Sequence, residues 1–255
     1  MSKISKIRPP FKIHGGKYYL CEWIIQHFPE NYEEMVYVEP FCGAASTLMN
    51  KAPSVEEAIN DTDTGIIKIM RAIRDECDEF VQCLQRIGYV KEAFDAALDN
   101  PSLNELGITD QLDQAINEFV LRRMSRGGEK KTFAWTNRQR GGKPGDQNAW
   151  ETIIDCLPKM AKRLEKVYIF NKNASEVLNA FNKANTLVYA DPPAPEEETE
   201  AEHIKLADLL RAYKGKVIIS GNPSTLYNRL YKAWHCQKKK PISKNAKPEC
   251  LWYNY

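Results

Sequence analysis

The sequence predicts an α/β protein whose mostly parallel sheet is interrupted by a helical insertion. Short β-branched or aromatic runs alternate with segments of helical periodicity, which is typical of parallel α/β sheets. The alternation stops between residues 75 and 159, where we find helical periodicity and loops but no convincing strand. The 255 residues are 43% hydrophobic, enough for a packed core in one large or two smaller domains. We therefore expect a discontinuous α/β domain, residues 1–74 and 160–255, and a helical insert, residues 75–159.

Six segments have the composition of buried strands. Each is short, rich in β-branched or aromatic residues, and bounded by turn-forming or polar residues. The six predicted strands are residues 36–39, 57–60, 167–170, 187–190, 217–220 and 251–253.

Three segments between these strands have apolar residues at helical spacing. The first, residues 16–28, carries one apolar stripe from Leu20 to Phe28. The second covers residues 150–164, with Pro158 as a site where the helix could kink. The third follows a capping box formed by Thr199 and Glu202.

Composition excludes several functional classes. No run of about 18 apolar residues is present, so we expect no membrane span, and the basic N-terminus lacks the apolar core of a secretory signal. The seven cysteines form no C-x-x-C pair and predict reduced thiols in a cytoplasmic compartment. The four histidines are scattered, which predicts no metal site. The net charge of +2 gives by itself no indication of nucleic-acid binding.

The segment 36–46 has the pattern of a strand, a tight turn of small residues and a following helix. Such a turn lets the backbone approach a nucleotide-like ligand closely, and Gly43 lies in it. Asp61 comes 18 residues after Gly43, at the end of the next predicted strand, where a carboxylate can accept hydrogen bonds from ribose hydroxyls. Because no further glycines form a pyrophosphate cradle, a nucleoside without phosphates fits better. The alternative is a strand–turn–helix that needs one glycine for packing.

The sequence Asp191-Pro192-Pro193 follows the apolar strand 187–190 directly. A carboxylate at the carboxyl end of a parallel strand lies where such sheets bind ligands. The prolines stiffen the turn and leave their carbonyl groups as acceptors. Rigid acceptors of this kind suit an amine donor, although a proline-stiffened loop without function is the alternative.

The segment 122–143 is strongly basic. It contains eight basic residues and one acid, whereas the rest of the chain has a net charge of −5. Phe133 and Trp135 are interleaved with the basic residues, and aromatic rings can stack on bases or wedge between them. This pattern favours contact with DNA phosphates, and a solvated charged face is the alternative. The candidate DNA contacts are Arg122, Arg126, Lys131, Trp135, Arg138, Arg140 and Lys143.

Taken together, these elements resemble the Dam-like, D12-class DNA adenine N6-methyltransferases of phages and bacteria. The resemblance covers nearly the whole chain. Each element alone is weak evidence for the family, but the order and spacing of all of them are specific to it. The matching elements are Phe11-Lys-Ile-His-Gly-Gly-Lys17, Val38-Glu-Pro-Phe41 with Gly43, Asn60-Asp61, the segment 126–150 that is similar to the family's target-recognition region, and Asp191-Pro-Pro193 of its D-P-P-Y box.

The resemblance implies a Rossmann-like, S-adenosylmethionine-dependent fold, with a helical target-recognition insert that binds double-stranded DNA. It implies that Lys17 meets the methionine part of the donor, Phe41 its adenine and Asp61 its ribose. Asp191 and Pro192 would accept hydrogen bonds from the N6 amine of an adenine flipped out of the duplex. The implied donor-binding residues are Gly15, Gly16, Lys17, Glu39, Phe41, Gly43, Asp61 and Asp191, and the implied catalytic residues are Asp191, Pro192, Pro193 and Ala194.

The resemblance also implies a monomer or weak dimer, without a metal, in the cytoplasm of a bacterium or phage-infected cell, serving restriction–modification or phage DNA modification. Four features depart from the family pattern. Ala194 replaces the aromatic residue of the box, and five glutamates lie in the short link 195–202. Ile13 and His14 replace the usual aromatic and small residue, and Ala45 replaces a frequent glycine. Two hypotheses follow: an active adenine methyltransferase, or an impaired or engineered variant that binds DNA or donor without efficient methylation. A weaker third is a methyltransferase for amines in RNA or protein.

Overall fold

A computed structural model describes residues 6–99, 110–140, 142–241 and 248–255. The described strands are β1 (Val36–Glu39), β2 (Glu56–Asn60), β3 (Gln139–Arg140), β4 (Lys143–Pro144), β5 (Val167–Phe170), β6 (Thr186–Ala190), β7 (Lys216–Gly221), β8 (His235–Lys239) and β9 (Glu249–Tyr253). Seven of them form one sheet in the order β5-β2-β1-β6-β7-β9-β8. Strands β1, β2, β6 and β7 run parallel, and β9 is antiparallel to both β7 and β8. The predicted mostly parallel sheet is confirmed.

The described helices alternate with the strands outside the middle of the chain and dominate within it, as predicted. They are α1 (Cys21–Ile25), α2 (Ser46–Asn50), α3 (Thr64–Asp75), α4 (Cys77–Ile87), α5 (Lys91–Asp99), α6 (Asp110–Met124), α7 (Gly145–Leu164), α8 (Ala174–Ala180), α9 (Glu200–Arg211) and α10 (Thr225–Leu230). Short 3-10 turns lie at Tyr32–Glu34 and Arg126–Gly128.

Contacts divide the chain into two compact units. Unit 1 comprises Met1–Cys21, Gly43–Asn50 and Asp63–Ile169, and unit 2 comprises Glu22–Cys42, Lys51–Thr62 and Phe170–Tyr255. The assignment of residues 75–159 to target recognition is a functional division that these bounds do not test, and it stays a prediction.

Unit 1 is built around helices α3, α4, α6 and α7, whose buried faces carry aliphatic and aromatic side chains. Phe119 of α6 lies between Phe80 of α4 and Trp150 of α7, with ring centroids 5.4 and 5.6 Å apart. Asp63 caps α3, because its carboxylate accepts hydrogen bonds from the backbone amides of Gly65 and Ile66. These contacts hold α6 against its neighbours, and the basic segment begins at the end of α6.

One part of the core of unit 2 packs against one face of the sheet. Val188 and Ala190 of β6 pack with Val217 and Ile219 of β7 and with Trp252 of β9. Strand β6 is buried at all five positions, which is the pattern of a central parallel strand. The sheet therefore holds its central strand ends rigidly.

Three local predictions were wrong. Residues 16–28 form a helix only at Cys21–Ile25, because both flanks are closed by tight turns, such as Leu20 N–H to Lys17 O at 2.9 Å. The insert contains the two short strands β3 and β4, and Gly142 between them has a φ of +79°. Strand β8 was missed because its sequence, HCQKK, is polar.

Candidate active site and nucleic-acid interface

Three residues, each just after the end of one of the adjacent strands β1, β2 and β6, lie at the same level of the sheet. Glu39 pairs with Ile59 across β1 and β2, and Val38 pairs with Val188 across β1 and β6. Counting forward along the parallel strands places Phe41, Asp61 and Asp191 at one level just beyond the strand ends. Parallel α/β sheets bind ligands at this carboxyl edge.

The loop after β1 is fixed to the end of β2 by Asn60, a buried residue. Its side-chain amide donates to the carbonyls of Pro40 and Lys172, each at 3.0 Å, and its backbone carbonyl accepts from the Cys42 amide at 2.8 Å. Asn171 in turn donates to the Asp61 carbonyl at 2.8 Å. These hydrogen bonds hold the backbone at and next to Asp61, and so they fix the position from which its side chain extends.

Glu39, the last residue of β1, is buried rather than open to solvent. The Tyr37 hydroxyl donates to its Oε1 at 2.5 Å, and burial followed by the Glu39 charge raises the pKa of Tyr37 well above its usual range. Tyr37 therefore stays protonated and acts as a donor to this carboxylate. A buried carboxylate needs such a partner to remain in place.

The Asp191 carboxylate is held by a chain of two hydroxyl groups. Ser220 of β7 donates to Asp191 Oδ1 at 2.8 Å, and the Tyr189 hydroxyl lies 2.9 Å from Ser220 Oγ. Since the single Ser220 proton goes to Asp191, Tyr189 donates to Ser220. Burial, followed by the Asp191 charge, raises the pKa of Tyr189 well above its usual range, which keeps it a donor. Sequence reasoning missed both hydroxyl residues because each reads as an ordinary strand position.

The turn after Asp191 closes on itself. The Ala194 carbonyl accepts hydrogen bonds from the amides of Glu197 and Glu198, and the Glu197 carboxylate accepts from the Ala194 amide at 3.2 Å. Burial raises the pKa of Glu198. Pro192 is buried and Ala194 is half-buried. Because residue 194 is an alanine, no aromatic ring stands at the fourth position of the box. The predicted capping box of Thr199 then starts α9.

The glycine-rich predictions fall in unit 1. Gly15 and Gly43 adopt φ values of +71° and +49°, in the left-handed region that favours glycine, and Lys17 Nζ donates to the Gly15 carbonyl at 3.1 Å. Ala45 has a φ of +49° and is fully buried, so the alanine occupies a conformation suited to glycine. Gly16 follows Gly15 in the chain, and a Cβ added to Gly16 would lie 3.3 Å from the Ile13 carbonyl oxygen.

The N-terminal element packs on the start of the basic segment within unit 1. A Cβ added to Gly128, whose φ is +82°, would lie 2.1 Å from the Lys12 carbonyl oxygen. Lys12 Nζ donates to the Ser125 carbonyl at 3.3 Å, and burial, followed by the charge of Arg123, lowers the pKa of Lys12. Only glycine allows the approach between these two backbone segments.

Arg122, one of the candidate DNA contacts, lies in the interior of unit 1. Its side chain is buried, donates to Asp63 at 2.6 Å and to Glu118 at 3.2 Å, and lies over the ring of Phe11. Burial opposes ionisation of Asp63, but the Arg122 charge and hydrogen bonds outweigh it and lower the pKa of Asp63. Arg122 therefore forms an internal ion pair in this structure, and its contact with DNA stays a prediction.

Several other members of the basic segment have exposed side chains, whereas Arg123 is held inside unit 1 and donates to the Ala149 carbonyl at 3.0 Å. Trp135 is 52% exposed and its ring stacks on that of Phe133. Lys143 forms a 2.6 Å ion pair with Glu151 at the surface, and the side chain of Arg140 lies outside the described part of the structure. The exposed members of the predicted set are Arg126, Lys131, Trp135, Arg138 and Lys143.

The seven-stranded, mostly parallel sheet with its flanking helices is consistent with a Rossmann-like methyltransferase fold. Residues 14–245 match the sequence pattern of the D12 class N6 adenine-specific DNA methyltransferase family. The chain belongs to this family and is a DNA adenine N6-methyltransferase. A comparison with curated proteins found no match.

Two features are absent from the described residues. They contain no helix that is long and apolar enough to span a membrane. Nor do they contain a group of three or more His, Cys, Asp or Glu side chains arranged to hold a metal ion.

Proposed function

We propose that this chain transfers a methyl group from S-adenosylmethionine to N6 of an adenine flipped out of double-stranded DNA. The observation that carries the proposal is the placement of Asp191, fixed by Ser220 and level with Phe41 and Asp61 at the carboxyl edge of the sheet. A target adenine inside the stack would not expose its amine to such a site, so base flipping belongs to the proposal.

The edge of unit 2 fits the nucleoside part of the donor. Asp61 offers acceptors for ribose hydroxyls, and the half-buried ring of Phe41 offers a face for adenine. Buried Glu39, which accepts a hydrogen bond from Tyr37, lies beside this edge. Gly15, Gly16, Lys17 and Gly43 of unit 1 are proposed to contact the donor as the family resemblance implies.

The chemistry required of the chain is positioning. When bound, S-adenosylmethionine supplies an electrophilic methyl group on a sulfonium. Asp191 and the Pro192 carbonyl accept hydrogen bonds from the N6 amine and orient its lone pair, and Pro193 stiffens this turn. In the transfer a new N–C bond would form as the S–C bond breaks, the thioether would leave, and one amine proton would pass to solvent. Neither a covalent enzyme intermediate nor a protein nucleophile is needed.

We propose that the insert, residues 75–159, positions the duplex through its exposed basic face. Arg126, Lys131, Arg138 and Lys143 would contact phosphates, and Trp135 would stack on or wedge between bases. Its half-exposed ring beside Phe133 supports this role, since a purely structural tryptophan would be buried more fully.

The experiment is transfer of a labelled methyl group to unmethylated duplex DNA, with donor binding measured by calorimetry. Asp191→Ala should abolish transfer and keep donor binding measurable. Asp208→Ala removes an exposed carboxylate of α9 in the same unit and should leave transfer unchanged. Transfer only to cytosine, RNA or protein would contradict the proposal.

A second candidate is the impaired variant, favoured by the closed turn at Ala194. The family's aromatic ring would stack on the flipped base, and its loss costs about 1–3 kcal/mol. Ala194→Tyr should therefore raise turnover by roughly 5- to 150-fold if the missing ring is the main defect. An unchanged rate would point instead to the acidic link 195–202.

A further inference from the structure

Unit 2 carries a second basic segment, separate from the insert. Between Gly221 and Glu249 the sequence has no acidic residue and seven basic ones. Three of them, Lys238, Lys239 and Lys240, are consecutive at the end of β8. The near-neutral charge of the whole chain conceals this segment as it conceals the basic stretch of the insert.

The sheet topology brings the end of β8 to the edge that holds Asp191. Strand β8 is antiparallel to β9, and β9 is antiparallel to β7, so β8 runs in the same direction as β6 and β7. The register places Gln237 opposite Leu251, which is opposite Ser220. The lysines that follow Gln237 therefore lie at the level of the Asp191 turn or just beyond it.

The distance suits a duplex centred on the site. Three strand spacings separate β6 from β8, or about 14 Å at roughly 4.8 Å per spacing. Along a duplex this is about four base pairs, since phosphates on one strand rise about 3.4 Å per step. A duplex that lies along the direction of the strand order and delivers an adenine to Asp191 would therefore pass β8 within a few phosphates of the target.

The lysine side chains differ in exposure. Lys238 and Lys240 are exposed, whereas Lys239 is half-buried and lies over the ring of Trp23, 5.3 Å from its centroid. Lys239 is therefore a packing residue of the strand. Lys238 and Lys240 are the pair that can reach a ligand at the edge.

We propose that Lys238 and Lys240 form a second phosphate-binding surface, which holds the DNA backbone beside the flipped adenine. This inference rests on the proposed function and adds a contact on the catalytic unit to those of the insert. It also explains how unit 2 tolerates the glutamates of link 195–202, because positive charge at the same edge offsets their repulsion of phosphates. Lysines on an edge strand can instead serve only to prevent edge-to-edge pairing, and the two roles differ in their salt dependence.

The test is the affinity of the full chain for a fluorescent duplex at several salt concentrations. Lys238→Gln with Lys240→Gln should reduce the slope of log affinity against log salt by about 2, close to 0.9 per lost phosphate contact. The Lys238→Arg, Lys240→Arg pair should retain the wild-type slope.

The matched control is Lys183→Gln with Lys214→Gln, two exposed lysines before β6 and β7 at the opposite edge of the same strands. This pair should keep the slope, although it removes the same charge. An unchanged slope in the β8 variant, or an equal loss in the control, would overturn the inference. If wild-type protein transfers methyl groups while either result is found, only this inference fails. A wild-type protein that binds no duplex overturns the proposed function as well.

Discussion

Replacing Ser220 by alanine tests whether the hydroxyl chain positions the reacting carboxylate. Ser220 is fully buried and donates to Asp191 at 2.8 Å. A hydrogen bond to a charged group contributes about 1.5–3 kcal/mol. If the bond serves to orient Asp191 for the amine, its loss should lower kcat by about 10- to 150-fold. Because Ser220 would not touch the donor or the duplex, the affinity for each should change little.

The assay is steady-state methyl transfer with kcat and KM determined separately for DNA and donor. Ser220→Thr retains a hydroxyl and should recover much of the rate. Tyr189→Phe, which leaves the Ser220–Asp191 bond in place, should cause a smaller loss. Ser224→Ala is the matched control, because it removes the N-cap of α10 and should cost about 1 kcal/mol of stability with unchanged kcat. A Ser220→Ala enzyme with wild-type kcat would refute the positioning role.

Three further predictions concern unit 1. Gly128→Ala should destabilise the protein in urea by about 2–4 kcal/mol through the Lys12 clash, against about 1 kcal/mol for the control Gly142→Ala, which has a similar positive φ and open space; equal losses would contradict the close approach. Arg122→Ala should cost about 1–3 kcal/mol in the same measurement, because it removes a buried side chain that pairs with Asp63 and Glu118; a loss of duplex affinity at unchanged stability would contradict this internal role. The double variant Arg138→Gln, Arg140→Gln should weaken duplex binding and reduce the slope of log affinity against log salt by about 2. An unchanged slope would show that this stretch is a solvated charged face.

The central strands were predictable because their sequences are locally consistent. Residues 36–39 and 167–170 form strands with the predicted bounds, since β-branched and aromatic side chains there are flanked by turn or polar residues. Strand β8 has no such signal, because its five residues are polar or exposed. Its pairing with β9 comes from the existing sheet edge, which local sequence does not reveal.

The candidate site also contains residues that local sequence reveals and residues that it does not. Asp61 and Asp191 could be predicted because each directly follows an apolar strand, so local sequence places it at the sheet edge. The burial of Arg122 could not, because its partner Asp63 lies 59 residues earlier in the chain. Ser220 was missed for a similar reason: its contact with Asp191 depends on the pairing of β7 with β6.

The most direct test of the central claim is the identity of the methylated nucleoside. Duplex DNA would be incubated with S-adenosylmethionine and either wild-type protein or the Asp191→Ala variant, then digested and analysed by mass spectrometry. We expect N6-methyldeoxyadenosine with wild-type protein and none with the variant. Equal amounts of that product from both proteins would contradict the role assigned to Asp191, and methylation of cytosine alone would contradict the proposed reaction.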